Sequence, residues 1–332
     1  MKKTIKITLG VIVTMIVGLV TIFLIGNNYN FNEENFQVKL TKNNLQVTLV
    51  TPKNEEQVKG TIFFIHGDGA QNATQDGGYK PLMERFAKRG YASVSWDKPG
   101  VGKSIGNWLT QSMDDRADEA SEIIDWMKQN HPNFTNEVGL WGASQAGWVI
   151  PKIDNKRRDI AFSFLVAPGV NWLQQSEYYT EQQALQNGHT ESETSKIKQD
   201  FRKDADLILL SSDYKSYQRN GGQSKMDEAR FQFVKQNMLA DSEADLKKMI
   251  GKVHLILGEK DINVDSKTTK KAYVNSVKDS LLTVKTITNA EHRMANPKLA
   301  HSEFLLTTAA IFSPKYHLVS PEFLDYSESL LQ

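Results

Sequence analysis

Three residue types that act together in nucleophilic catalysis each follow an apolar, strand-like segment of this chain. Ser144 stands in the sequence W-G-A-S-Q-A-G, Asp261 follows the apolar residues 253–257, and His292 follows residues 281–287. A serine hydroxyl, a carboxylate and an imidazole in this chain order are the groups of serine-dependent acyl transfer. Because they are far apart in the chain, a catalytic role requires a fold that brings the three together.

The residues around Ser144 are typical of a sharp turn between a strand and a helix. A serine at such a turn lies at the carboxyl end of the sheet, with its Oγ exposed and a helix amino terminus beneath it. Side chains two residues away on either side would collide, so small residues are required there. Gly142 meets this requirement, whereas Ala146 departs from the pattern G-x-S-x-G and the glycine stands at Gly147. Taken alone, the pattern also fits a serine that only caps an ordinary helix.

A second turn, H-G-D-G at residues 66–69, ends an earlier apolar strand. Its glycines leave the backbone open, so an N–H of Asp68 or Gly69 can point to the same place as the N–H of Gln145. Two such donors form an oxyanion hole, in which each is worth about 3–4 kcal/mol of transition-state stabilisation. We expect the side chain of His66 to make a structural hydrogen bond.

Apolar runs and amphipathic segments predict the elements that position these turns. The predicted strands are 36–40, 45–51, 61–65, 91–96, 137–141, 160–167, 253–257 and 281–287, and the predicted helices are 79–89, 112–130, 145–154, 267–277 and 299–312. The first two strands form a predicted hairpin, and the later alternation of strand and helix indicates a mostly parallel sheet with helices on both faces. Residues 170–250 have no strand-like runs and are predicted to form a helical insertion.

Two longer motifs give the sequence a family resemblance. Residues 97–104, D-K-P-G-V-G-K-S, match the turn D-x-x-G-x-G-x-S, and residues 139–148, G-L-W-G-A-S-Q-A-G-W, are similar to G-L-W-G-x-S-Q-G-G-W. On these motifs the chain resembles the α/β-hydrolase superfamily, in the branch of serine-aminopeptidase-like and carboxylesterase-like enzymes. The resemblance covers about residues 36–169 and 251–312, and the helical insertion is outside it.

The resemblance implies an α/β-hydrolase fold and a role for each matching residue. Ser144 would be the nucleophile, His292 the general base, and Asp261 the carboxylate that orients the histidine. Asp265, four residues further along the chain, is an alternative for the orienting carboxylate.

The same resemblance implies that the N–H groups of Gln145 and of Asp68 or Gly69 form the oxyanion hole. The reaction would pass through a covalent acyl-enzyme that water then cleaves. It would require neither a metal ion nor an organic cofactor.

Composition excludes several other classes of function. The 332 residues include 40 lysines and arginines and 39 aspartates and glutamates, so a net charge of +1 argues against a nucleic-acid partner. The absence of cysteine excludes a thiol nucleophile and a cysteine-ligated metal. Residues 102–104, G-K-S, resemble the end of a phosphate-binding loop, but the first glycine of that motif would fall at Asp97, so we expect no nucleotide.

The amino terminus predicts a membrane anchor. Residues 7–25 contain no charged residue and would form about 28 Å of helix, close to the ~30 Å hydrocarbon core of a bilayer. Lysines at positions 2, 3 and 6 precede this segment, which favours a cytoplasmic amino end and an extracytoplasmic body. A cleaved signal peptide, and hence a secreted protein, is the alternative, although no A-x-A cleavage pattern follows.

The predicted organisation is therefore a chain of four parts. They are a signal anchor (1–26), a linker (27–35), a hydrolase core (36–169 and 251–332) and a helical cap (170–250). We expect the cap to lie over the carboxyl ends of the strands and to shape the substrate pocket, although Trp172, Tyr178 and Tyr179 at its start favour packing between cap helices.

The expected activity is a serine hydrolase that cleaves a small-molecule ester. Two alternatives remain open: a peptidase or amidase that acts on short peptides with the same three residues, and a catalytically inactive cell-surface binding protein.

Overall fold

The structure, a computed structural model, describes residues 2–331, without the side chains of residues 2–10 and Gln57. The strands are β1 (Asn32–Lys39), β2 (Asn44–Thr51), β3 (Gly60–Ile65), β4 (Tyr91–Trp96), β5 (Val138–Ala143), β6 (Ile160–Val166), β7 (Lys252–Gly258) and β8 (Leu282–Ile287). The helices are α1 (Lys2–Gly26), α2 (Lys80–Lys88), α3 (Met113–Asn130), α4 (Ile150–Lys156), α5 (Trp172–Gln186), α6 (Glu191–Leu210), α7 (Tyr214–Arg219), α8 (Glu228–Asn237), α9 (Glu243–Leu246), α10 (Ser266–Ser276), α11 (Glu303–Phe312), α12 (Pro314–His317) and α13 (Pro321–Ser329).

All eight strands join one sheet in the order β1-β2-β4-β3-β5-β6-β7-β8. The β1–β2 hairpin is antiparallel, with Phe36 opposite Val47, and β2 is antiparallel to β4. The remaining pairs are parallel. The predicted hairpin and the predicted mostly parallel sheet are both confirmed, and the central position of β5 puts Ser144 in the middle of the carboxyl edge.

Apolar side chains on the two faces of the sheet form two cores. On one face, α3, α4 and α10 cover residues such as Phe63 and Leu140. On the other, α2 and α13 cover Phe64 and Phe164. Covering both faces explains why the central strands are apolar at almost every position rather than at alternate ones.

Helix α3 begins with a capping box that fixes the position of its first turn. The Ser112 Oγ accepts a hydrogen bond from the N–H of Asp115, and the Asp115 carboxylate accepts one from the N–H of Ser112. Such caps contribute about 1 kcal/mol to helix stability. Arg116, the next residue, is thereby held where its side chain enters the candidate site.

The insertion is helical, as predicted, and consists of α5–α9 between β6 and β7. It docks on the core through Trp172, whose ring stacks on Trp148 with centroids 4.9 Å apart. The side-chain amide of Asn237 also donates to the Gln111 carbonyl and accepts from the Met113 N–H, both at 3.1 Å.

Two helical regions differ from the sequence prediction. The predicted helix 145–154 is divided into a 3-10 turn at Ser144–Trp148 and α4, which begins at Ile150 with Pro151 in its first turn. After α11 the chain forms α12 and α13, which no sequence pattern predicted. Both helices are short, and α13 is stabilised because it buries Phe323 and Leu324 against the sheet.

Helix α1 covers the segment for which we predicted a membrane anchor, and its end packs against α11. A Cβ on Gly26 would lie 2.2 Å from the Phe312 carbonyl oxygen, so only glycine allows this approach. Among the residues that the structure describes, no helix combines the length and apolar character needed to cross a bilayer. The predicted membrane anchor stays a prediction, and the side chains of its residues 7–10 lie outside the described part.

Candidate active site

Ser144 occupies a strained turn directly after β5. Its φ of 56° is in the left-handed region, which costs energy for any residue with a Cβ and often marks functional sites. A Cβ on Gly142 would lie 2.5 Å from the Ala146 Cβ and 2.8 Å from the Ile65 carbonyl oxygen, so glycine is required at this position. The methyl group of Ala146 fits against Gly142, which explains why the turn tolerates alanine where the motif has glycine.

Asp261 and His292 meet at the same edge of the sheet. The His292 Nδ1 lies 2.8 Å from the Asp261 Oδ2, and the carboxylate is fully buried. Its other oxygen accepts hydrogen bonds from the N–H groups of Asn263 at 2.7 Å and Val264 at 2.9 Å, which fix its orientation. Asp265, the alternative acid, instead caps α10. Asp261 is thus the carboxylate that the structure pairs with the histidine.

Ser144 and His292 line the same cavity. Among the described residues no hydrogen bond joins them, and bonds of this kind often tighten only when substrate is bound. Because Nδ1 of His292 donates to Asp261, its Nε2 is left as the proton acceptor. The roles of nucleophile and base stay predictions.

The predicted oxyanion loop lies against the Ser144 turn. A Cβ on Gly67 would be 3.7 Å from the Ser144 Cβ. The N–H groups of Asp68 and Gln145 have no acceptor within the described protein, as an oxyanion hole requires. The N–H of Gly69 helps to lower the pKa of the Asp68 carboxylate, but no hydrogen bond among the described residues joins the two, so Asp68 and Gly69 both stay predicted donors.

Lys98 is a buried cation beneath this loop that the sequence did not reveal. Its ammonium group donates to the carbonyl oxygens of Gly67 at 2.6 Å and Gly69 at 2.8 Å, and the residue is 3% exposed. Burial, with a smaller effect from nearby Arg116, lowers the pKa of Lys98 well below its usual value. In a trans peptide the C=O and the following N–H point in opposite directions. Holding the Gly67 carbonyl therefore turns the N–H of Asp68 away from the lysine.

The turn at residues 97–104 places Lys98. The Asp97 carboxylate accepts hydrogen bonds from the N–H groups of Ala73 at 2.8 Å and Lys103 at 3.1 Å. A Cβ on Gly102 would lie 2.1 Å from that carboxylate, and the φ of Gly102 is 55°. The glycines and the aspartate of the D-x-x-G-x-G-x-S motif are therefore needed to close the turn.

Arg116 joins the oxyanion loop to the residue after Ser144. Its guanidinium donates to the His66 carbonyl oxygen and to the Gln145 Oε1, both at 2.5 Å. Burial lowers the pKa of Arg116 to about 10, so it stays charged at neutral pH. The His66 ring donates from Nε2 to the Trp96 carbonyl at 2.6 Å, and burial lowers its pKa to about 3. The structural role predicted for His66 is confirmed.

The cap contacts the same loop through Arg230 of α8. The Arg230 guanidinium donates two hydrogen bonds to the Asp68 carboxylate, at 2.9 and 2.5 Å. The side-chain amide of Gln145 donates a third to the same carboxylate, at 3.2 Å. Burial acts to raise the pKa of Asp68, but the bonds and charge of Arg230 hold it below its usual value. The guanidinium also lies over the rings of Trp108 and Phe233, with its central carbon 5.8 and 5.0 Å from their centroids. The side chain of Asp68 is thus fixed by the cap.

The cavity at Ser144 and His292 has a volume of about 630 Å³, within the range of roughly 300–1,000 Å³ typical of small-molecule sites. It lies between α2, the ends of β5 and β6, the loop after β8, α11 and the start of α13. None of residues 170–250, all of which are described, lines it. The expectation that the insertion shapes the substrate pocket is wrong for this cavity, because the segment after His292 forms the wall instead.

None of the three aromatic residues at the start of the cap lines the cavity, and Trp172, which contacts Phe233 of α8, packs between cap helices as the sequence favoured. Trp172 packs on Trp148, Tyr178 donates to the Asp261 carbonyl at 3.0 Å, and Tyr179 contacts Gln183 of the same helix. Only Tyr178 approaches a candidate catalytic residue.

The parallel sheet with helices on both faces, the serine turn after β5 and the histidine–carboxylate pair after later strands define an α/β hydrolase. The model of the X-Pro dipeptidyl-peptidase (S15) family matches residues 41–295, and the chain belongs to that family. A search of the curated proteins finds no match.

Solved structures with the same fold include both esterases and a peptidase. An esterase from Pyrococcus furiosus is 14% identical with a TM-score of 0.53, over 79% of this chain and 84% of that one. Est1E from Butyrivibrio proteoclasticus, solved with ferulic acid bound, is 17% identical with a TM-score of 0.54, over 89% and 99%. Proline iminopeptidase from Mycobacterium smegmatis is 14% identical with a TM-score of 0.52, over 90% and 100%.

Proposed function

We propose that this hydrolase cleaves carboxylic esters, with Ser144 as nucleophile, His292 as general base and Asp261 as the orienting carboxylate. The observation that carries the proposal is the 2.8 Å hydrogen bond between His292 and a fully buried Asp261, at a cavity that Ser144 also lines. The mainly apolar lining suits a substrate without charge at the scissile bond. Esterases with the same fold add support.

The reaction begins when the Ser144 Oγ attacks the ester carbonyl and its proton passes to the Nε2 of His292. The carbonyl oxygen becomes an oxyanion that the N–H groups of Asp68 and Gln145 stabilise. His292 then returns the proton to the departing alcohol, while Asp261 stabilises the imidazolium. Water, activated by the same histidine, cleaves the acyl-enzyme and releases the acid.

A second candidate is hydrolysis of short peptides or amides. The family description favours it, and the fold neighbours include a proline iminopeptidase. In this structure the carboxylate of Glu303 lines the cavity and offers a partner for a free amino group. The same serine, histidine and aspartate would act on both substrates.

The test compares p-nitrophenyl acyl esters with aminoacyl and X-Pro p-nitroanilides on the purified protein and on Ser144→Ala. We expect ester hydrolysis by the wild type and a loss of about four to six orders of magnitude in Ser144→Ala, with an unchanged thermal unfolding temperature. A fluorophosphonate probe should label only the wild type. Faster turnover of the anilides would select the peptidase, and near-normal activity of Ser144→Ala would refute the assignment.

We also propose that residues 7–25 hold the catalytic part at the outer side of a membrane, with a cytoplasmic amino end. The support is the uncharged apolar segment and the three lysines before it. The full-length protein should sediment with membranes and resist alkaline extraction. A mature mass that begins near Asn27 would replace the anchor with a cleaved signal.

A further inference from the structure

Helix α11 presents two different faces, and one of them is a wall of the active-site cavity. Leu306 and Ala310, one helical turn apart, line the cavity together with Glu303 and Thr307. Leu305, the neighbour of Leu306, does not line it and is 37% exposed. The helix therefore contributes Leu306 and Ala310 to the cavity that Ser144 also lines, and Leu305, outside the cavity, is a matched control position.

Three other elements also contribute apolar side chains to the cavity lining. These are Leu82 of α2, Trp141 of β5 and Phe323 of α13, each of which is buried. The cation Arg293 and the anions Asp68 and Glu303 also line the cavity, and Asp68 is already paired with Arg230. A substrate group between the walls would thus exchange water mainly for hydrocarbon and aromatic surface.

We propose that the substrates are esters with an apolar chain or ring of medium size beside the scissile bond, and that Leu306 and Ala310 limit the length of this group. The inference rests on the proposed esterase function and names its substrate class. Burial of each methylene favours binding by about fourfold, so selectivity for chain length follows from the length of the apolar cavity. Either the acyl part or the alkoxy part of the ester can supply this apolar group, because both present hydrocarbon surface.

The experiment measures kcat/KM of the full chain for p-nitrophenyl acetate, butyrate, hexanoate, octanoate and decanoate. In the wild type kcat/KM should rise by about fourfold per added methylene up to a limiting length and then fall. Leu306→Trp should move the limit to a shorter chain, with a loss of about tenfold or more on the longest productive ester and a smaller loss on the acetate. Leu306→Ala should move the limit to a longer chain.

Leu305→Trp is the matched control, because the same substitution is made at the next position, outside the cavity. It should leave the chain-length profile unchanged. If Leu306→Trp fails to fold, as judged by circular dichroism, Ala310→Leu makes the same test with a smaller side chain and should also shorten the limit.

A second series of alkyl acetates with lengthening alcohols distinguishes the two sources of the apolar group. The proposal is supported if Leu306→Trp shifts the length limit in either series. The series in which the limit shifts shows whether the cavity binds the acyl or the alkoxy group. A wild-type kcat/KM independent of length in both series would overturn it, as would equal effects of Leu306→Trp and Leu305→Trp. A wild type that hydrolyses no ester would instead reject the proposed function itself.

Discussion

The helical insertion at residues 170–250 and the C-terminal segment at residues 293–331 both lie beside the candidate active site, but they contribute in different ways. The insertion reaches the site with polar groups: Arg230 holds the carboxylate of Asp68, and Tyr178 donates to the carbonyl of Asp261. The C-terminal segment reaches it mainly with apolar side chains, which line the cavity.

This difference separates the positioning of the catalytic groups from the choice of substrate, two properties that the sequence alone would assign to one cap. Contacts to the carboxylate of Asp68 and to the carbonyl of Asp261 affect the position of the candidate catalytic groups, and so should change the rate equally for all esters. Apolar walls change the energy of burying the substrate, and so should change the preference among esters. The length of a segment added to the core is therefore a poor guide to whether it lines the pocket.

Of three further substitutions, Asp261→Asn should have the largest effect, and it removes a group that belongs to neither region. The amide cannot stabilise the imidazolium and favours the wrong tautomer of His292, so kcat should fall by about four orders of magnitude. Steady-state kinetics on a short and a long ester measure it, and the factor should be the same for both. Asp265→Asn is the matched control, since asparagine caps a helix as well as aspartate does and activity should persist. Comparable losses in the two variants would contradict the assignment of the acid.

A smaller loss is expected from Lys98→Met, which removes the donors to the carbonyls of Gly67 and Gly69. If the lysine positions the oxyanion loop, kcat should fall by about tenfold to a hundredfold, because one displaced oxyanion donor costs up to about a thousandfold. KM should change little, and the chain-length profile should keep its shape. The exposed Lys103→Met in the same turn should have no effect. A rise in KM without loss of kcat would show that Lys98 serves substrate binding instead.

The smallest of the three effects is expected from Arg230→Gln, which weakens the contact between the cap and Asp68. A partly exposed ion pair is worth up to about 1 kcal/mol, so kcat/KM should fall by about fivefold, and by the same factor for every ester in the chain-length series. The difference from wild type should shrink at high salt. Arg219→Gln, at an exposed position of the same cap, is the control. A change in chain-length preference would break the distinction between the two regions.

Much of the fold was predictable because its strands carry a strong local signal. The eight strands were placed from alternating patterns or apolar runs such as the one at residues 61–65, and buried parallel strands require apolar runs. Helices α12 and α13 were missed because short helices have little local signal and are stabilised by what they bury. Ser144, Asp261 and His292 were proposed from motif and chain order with Asp265 as an alternative acid, and the structure pairs the histidine with Asp261.

The sequence by itself determined which residues stand at the carboxyl ends of the strands, because strand periodicity and the steric demands of the Ser144 turn are local properties of the chain. Tertiary structure alone decided that Lys98 and Arg116 are buried beneath the oxyanion loop and that α11 lines the cavity. A charged residue becomes buried only when distant carbonyls and carboxylates surround it, and a helix lines a cavity only when other elements supply the opposite wall. Neither condition is expressed in the residues' own neighbourhood in the sequence.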